Sequence, residues 1–173
     1  TLFSFFGPLF YHTDQFNPNL LVVNQGPGGG HPFGTDQSGF DILGRLMEGG
    51  KSSLEVGFVV GFVSTVFGLI YGAVSGFFGG AVDGVLMRLV DVGLAIPIVF
   101  LFIFMAQIYK PNLTLLMVLL VAVSWLIPAR LVRGETLTLR TREYVQAVQV
   151  MGGRPWRIII KHLIPNTIGT IVV

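Results

Sequence analysis

Long uncharged stretches alternate with short polar ones along this chain. Residues 56–82, 92–109 and 111–129 contain no Asp, Glu, Lys, Arg or His. Each approaches the roughly 20 apolar residues that a helix needs to cross a bilayer. The pattern predicts an all-α fold, a polytopic transmembrane helical bundle with the lipid bilayer as its first partner. Residues 1–10, TLFSFFGPLF, are apolar but too short to span, and predict the tail of an earlier helix. TIGTIVV at the other end predicts a helix cut soon after it begins, so the sequence is expected to be a fragment.

Between the apolar runs, residues 11–34 are rich in Asn, Pro and Gly and predict an external loop. Ile42, Leu43, Leu46 and Met47 then recur at helical spacing opposite Arg45 and Glu48. This predicts a short amphipathic helix, resting on the membrane surface or packed on the protein. The domains expected are a helix tail at 1–10, the loop and amphipathic helix at 11–53, and the transmembrane part at 54–173.

Charge orients this arrangement. Seven of the 11 Lys/Arg residues lie between Arg130 and Lys161. The positive-inside rule places that segment in the cytoplasm. Counting back through the spans puts the turn near Lys110 outside, the turn with Asp83 and Arg88 inside, and residues 11–53 outside. Eight basic residues then lie inside and three outside. Asp83, Arg88 and Asp91 gather at the inner ends of two spans, where Arg88 and Asp91 have the spacing of a local ion pair.

Within the first span, Gly57, Gly61, Gly68, Gly72, Gly76 and Gly80 recur mostly at four-residue intervals. That spacing predicts a face without side chains, on which another helix can approach closely. Pro97 and Pro128 each remove a backbone donor and predict kinks, which either shape a pathway or are purely structural.

Chemistry narrows the functions. The chain has no cysteine, so neither disulfides nor cysteine-ligated metals occur. His12, His31 and His162 lie in separate segments without metal-ligand spacing, and no Ser/His/Asp grouping is visible. No catalytic, cofactor or metal site is expected. GRLMEGGKSS imitates a phosphate-binding loop, but with Gly50-Lys51-Ser52 fixed the first glycine should be residue 45, which is Arg45. The spans carry no ionisable relay of the kind proton-driven carriers use. A net charge of +2 does not suggest a nucleic-acid partner.

The polar segment at 130–166 has its own logic. Thr141 can cap a helix whose first turn holds Glu143. Glu143, Gln146 and Gln149 form a narrow polar stripe, while Tyr144, Val145, Ala147, Val148, Val150 and Met151 cover most of the remaining circumference. Gly152-Gly153 predicts the helix end, and Pro155 suits the first turn of a second helix through WRIIIKHL. Pro165 is expected to stop that helix and Asn166 to cap the next. The first helix is too short to span and too apolar to stand bare in cytoplasm, so its apolar face is covered by the rest of this protein or by a partner.

This segment resembles the cytoplasmic EAA loop of ABC-importer permeases, whose pattern is Glu-Ala-Ala, three residues, Gly, nine residues, Ile-x-Leu-Pro. Ala147, Gly152 and Pro165 match it, while Gln146, Val148, His162 and Ile164 depart. REYVQA, WRIIIKHLIPN and ARLVRGETLTLR are similar to the dipeptide/oligopeptide/nickel branch, in which a His before the Leu/Ile-Pro-Asn ending is usual. HPFGTDQSGFDILGRL resembles that branch's external segment, with Phe40 where an Arg is common. GFFGGAVDGVLMRLVDVGLAIP resembles its second turn and following helix. The likeness covers about residues 31 to 166.

The resemblance implies a permease subunit with the type I importer fold in a bacterial or archaeal plasma membrane. Its expected partners are a second homologous permease subunit, two cytoplasmic ATPase subunits that bind the ATP, and an external solute-binding protein. It further implies that a coupling helix contacts an ATPase through Glu143, Tyr144, Ala147, Val148, Met151, Gly152 and Gly153. The rivals are an ATP-independent channel or secondary carrier, and a non-transporting membrane scaffold.

Overall fold

The computed structural model describes residues 2–14, 17–109 and 112–172. The expected external turn at Lys110 lies outside them. The described residues form helices α1 (Leu2–Phe10), α2 (Ile42–Phe78), α3 (Gly80–Ala95), α4 (Ile98–Ile108), α5 (Leu113–Ser124) and α6 (Leu126–Arg140). After these come α7 (Glu143–Val150), α8 (Pro155–Ile158), a π-helical turn (Ile159–Leu163) and α9 (Ile164–Val172). The chain divides into two compact units, Thr1–Phe58 and Val59–Val173.

Among the described residues, two helices are long and apolar enough to cross a membrane: Ile42–Phe78, of 37 residues, and Leu113–Arg140, of 28, which runs through α5 and α6. α3 and α4 together make a third candidate, bent by 67° at its break. Proline explains that break, because Pro97 offers no N–H to continue α3 and instead caps α4. The interruption at Trp125 is milder. Pro128 falls in the first turn of α6, where its missing N–H costs little.

The amphipathic segment expected at the membrane surface is not a separate element. It forms the first turns of α2, because nothing between Ile42 and Phe78 breaks a helix strongly enough to divide it. The GRLMEGGKSS stretch is therefore helical, and its amides are not arranged as a phosphate-binding loop.

In the first unit, Asp41 caps α2. Its Oδ1 accepts from the Gly44 amide at 2.7 Å. Its Oδ2 accepts from His31 Nδ1 at 2.8 Å and lies 2.8 Å from the Tyr11 hydroxyl, which also lies 2.7 Å from the Gly30 carbonyl. His31 is thus bound into a network beside a buried carboxylate. Arg45 pairs with Asp36 at 2.5 Å and stacks over Phe40, 4.3 Å from its ring centre.

In the second unit, α6 lies along α2 and α3. A Cβ on Gly68 would meet Pro128 at 2.7 Å and the Trp125 carbonyl at 2.9 Å. One on Gly72 would overlap the Ala129 carbonyl, and one on Gly76 would meet the Arg133 carbonyl at 2.8 Å. These three glycines let the two backbones touch. Gly57, Gly61 and Gly80 meet nothing within 4 Å, so the six-residue ladder is split among the described residues. Gly79 and Gly80 instead make the α2–α3 turn, with φ of 65° and 51°. Phe67 and Tyr71 close the upper part of the crossing against Trp125, with ring centres 4.7 and 4.8 Å away.

Candidate functional site: the loop of helices α7 to α9

Local signals build this segment. α7 ends in a Schellman turn: the Gly153 amide donates to Val148 O at 2.9 Å and the Gly152 amide to Gln149 O at 3.0 Å. Gly152 has φ of 78°, which costs a side-chain-bearing residue about 1–2 kcal/mol. Gly153 is needed for space, since a Cβ there would meet the Val148 carbonyl at 2.7 Å. Pro155 then opens α8 as expected.

Two local expectations are corrected. Thr141 does not cap α7. Its hydroxyl donates back to Thr138 O at 2.8 Å, and Arg142 occupies the cap position without a side-chain bond. Pro165 does not stop the second helix. The Ile164 amide donates to Ile159 O, five residues back, and this wider turn carries the chain into α9 past a residue that lacks an N–H. Asn166 lies inside α9, where its side chain donates to His162 O at 2.6 Å.

α7 is anchored on one side and open on the other. Val145 is fully buried in a cluster with Ile158, Ile159 and Leu163, and with Ala73 of α2 and Val132 of α6. Val148 packs against the same cluster, which makes it partly a core residue. Glu143, Tyr144, Ala147, Met151 and Gly152 are exposed, and Gly153 is half-buried. The Tyr144 ring tilts toward His162, 6.5 Å between centres. Val150 is 88% exposed and Met151 77%. Beyond them an open depression of about 720 Å³ is lined by Val148, Met151, Gly152, Gly153, Arg154, Arg157 and His162.

One outward residue was passed over in the sequence, and the local pairing expected between Arg88 and Asp91 is corrected. Val150 belongs with the outward residues, a position that appears only once Val145 is known to be the anchor. The carboxylates on α3 pair with α6 and not with Arg88. Asp83 takes a two-pronged contact from Arg133, at 2.8 and 2.5 Å, plus the Ser75 hydroxyl at 2.6 Å. Asp91 pairs with Arg130. Arg140 donates to Phe77 O at 2.9 Å and so satisfies a carbonyl at the end of α2. Every basic residue of α6 therefore ties it to a neighbouring helix. Local spacing along the chain does not reveal such contacts, because the Asp83–Arg133 pair spans 50 positions.

The arrangement is a helix anchored on one side in a buried core and exposed on the other. No cluster of metal-ligating side chains occurs among the described residues. Comparison with known proteins fits this geometry. Residues 56–173 match the model of the "binding-protein-dependent transport system inner membrane component" family. The oligopeptide transport system permease protein OppC of Escherichia coli K12 is 38% identical over 99% of this chain and 58% of its own length. OppC of Bacillus subtilis is 34% identical over 99% of this chain and 56% of its own length. The dipeptide transport system permease protein DppC of Bacillus subtilis is 34% identical over 96% and 52%. The chain thus spans little more than half the length of these relatives. It is a membrane protein, and it belongs to the binding-protein-dependent transport system inner membrane component family.

Proposed function

We propose that this chain forms part of the translocation pathway of an ATP-driven importer for oligopeptides or dipeptides, with α7 as its coupling helix. The observation that carries this reading is the division of α7 between Val145, sunk in a core shared with α2 and α6, and the outward Ala147, Val150 and Met151. Burying Val145 contributes about 1.5–3 kcal/mol toward holding α7 in place. A helix held in this way moves with the spans beneath it. A partner gripping its outward face could drive them as a lever.

In this reading a cytoplasmic ATPase subunit takes the outward face, and its neighbouring copy serves a second homologous permease subunit. An external solute-binding protein delivers the peptide to the other side of a bacterial plasma membrane. ATP is bound and hydrolysed by the partners. The relatives' names support the peptide class.

The absence of native cysteine makes the test direct. A single cysteine is placed at Ala147 or Val150 of the full-length chain and cross-linked to the ATPase subunit in membranes, with and without ATP. A specific cross-link whose yield changes with nucleotide is expected. Intact protein that gives no cross-link from either position would overturn the coupling role and favour a channel or carrier that needs no ATPase.

A further inference from the structure

The outward face of the segment after α7 carries two rows of side chains outside the expected coupling set, which ends at Gly153. Trp156 and Ile160 stand 57% and 59% exposed, one turn apart. Arg157 and Lys161, each the next residue along, are exposed beside them. The opposite side of the same segment, Ile158, Ile159 and Leu163, is fully buried against Ala73 and Val132.

The level of this face in the membrane follows from the charges. Arg130 is the first charge after the uncharged run 111–129, and Asp91 is the last before the run 92–109. The two residues pair, so they mark the inner edge of the apolar layer on both helices at once. Val132 lies two residues beyond Arg130, about 3 Å further along α6. Ile158, Ile159 and Leu163 pack at Val132. The core that carries α7, α8 and the π turn therefore begins just inside that edge, which puts the long side chains on the outward face of α8 and the π turn within reach of the inner headgroups.

A tryptophan and an isoleucine beside an arginine and a lysine at that level match an anionic lipid. The indole sits among headgroups and upper acyl chains, and the two cations attract the phosphate, with the long side chains able to reach toward it. An acidic protein partner would also answer the two cations, but it would leave the Trp156–Ile160 row without apolar cover unless that partner was apolar too. We propose that Trp156, Arg157, Ile160 and Lys161 form a binding site for an anionic phospholipid of the inner leaflet. Arg157 also lines the depression beside α7, so a bound lipid would stand next to the coupling helix. The proposal rests on the cytoplasmic orientation of this loop and not on the identity of the transported solute.

The test uses the complete transporter in vesicles of phosphatidylcholine containing a minor fraction of phosphatidylglycerol, with bromine on the acyl chains of one lipid or the other at equal content. The signal of Trp156 is the difference between the wild type and Trp156→Phe. Brominated phosphatidylglycerol is expected to quench Trp156 more strongly than brominated phosphatidylcholine, as enrichment of about fivefold per basic residue would produce. Arg157→Gln with Lys161→Gln should abolish the excess, and Arg157→Lys with Lys161→Arg should keep it. Equal quenching by the two lipids would mean that the face touches bilayer without selecting a headgroup. Quenching by neither would mean that protein covers it. Either result overturns the site, while the cross-linking test of the coupling helix is unaffected.

Discussion

Gly72→Ala tests the central contact of the fold. In the wild type α2 and α6 meet backbone to backbone at this point. An added methyl would overlap the Ala129 carbonyl oxygen and stand 2.8 Å from Val132 Cβ and 2.9 Å from the Arg133 amide. Two of these three atoms are backbone and cannot rotate away. The helices must part until the contacts at Val132 and Arg133 widen from 2.8 and 2.9 Å to an ordinary 3.4 Å. Overpacking of this kind costs about 1–3 kcal/mol, and the backbone overlap places Gly72→Ala near the top of that range. Helix propensity returns up to about 1 kcal/mol. The net loss is about 2 kcal/mol, or about 4–8 °C in melting temperature for a chain of this size. Gly57→Ala is the control, because its methyl meets nothing and keeps only the propensity gain. It should melt at or slightly above the wild type. Thermal unfolding of the purified chain in detergent, followed by tryptophan emission in a Trp156→Phe background that leaves Trp125 as the single tryptophan, reads both variants at the crossing itself. If Gly72→Ala melted with or above the wild type while Gly57→Ala fell, the three glycines would not be the closest approach of these helices.

Two further outcomes follow from local geometry. Gly152→Ala forces a side chain into φ of 78° and should loosen the end of α7 by about 1 kcal/mol; ATP hydrolysis and substrate uptake should then lose proportion, and Gly152→Asp with normal uptake would refute the coupling role of the turn. The network around Asp41 should hold from about pH 4 to pH 10. Burial pushes the Asp41 carboxyl up, but hydrogen bonds from the Gly44 amide, His31 and Tyr11 outweigh it and hold the group below its ordinary 3.8. Its contribution is therefore complete above that value and lost as pH falls through the depressed one. Tyr11 is pushed up to about 12 by burial and by Asp41, so its contribution is complete below 10.0 and lost as pH rises toward 12. Hydrogen exchange at the Gly44 amide measures this window, and Asp41→Asn should remove the acid limb. An acid limb unchanged in that variant would show that another group controls it.

What could be read from the sequence depended on the range of the physics. Two of the three spans were legible because uncharged length is a property of a continuous run, whereas the run at 92–109 is divided by the bend at Pro97. The turn at Gly152-Gly153 was legible because a Schellman end needs only its own six residues. The boundary of α2 was not, since Arg45, Glu48, Lys51 and Glu55 mark a change of surroundings but none of them breaks a helix. Pro165 misled for a related reason: the usual penalty assumes α-helical spacing, and the π turn before it changes that spacing. The glycine ladder was half legible. Spacing identifies a smooth face, but only the approach of α6 decides that Gly68, Gly72 and Gly76 use it and that Gly57, Gly61 and Gly80 do not. The division of α7 into an anchored and an open side depended in the same way on which of several apolar residues met Ala73 and Val132.

The basic residues of α6 combine two of these ranges. As a count they carry the orientation expected from the sequence, because excess Lys/Arg belongs on the inner side. As individual side chains they are ties: Arg130 to Asp91, Arg133 to Asp83, and Arg140 to the carbonyl of Phe77. The same helix supplies Ala129 and Val132 to the glycine face and Val132 to the core that holds Val145. α6 is therefore held to α2 and α3 by contacts on several sides while it also supports α7. A displacement of α7 that was absorbed within the loop would have to open a core containing fully buried Val145, Ile159 and Leu163. One that carried α6 along would leave that core closed and keep all three ties. The second route breaks fewer contacts, which is the physical reason to expect the loop and these helices to move as one body.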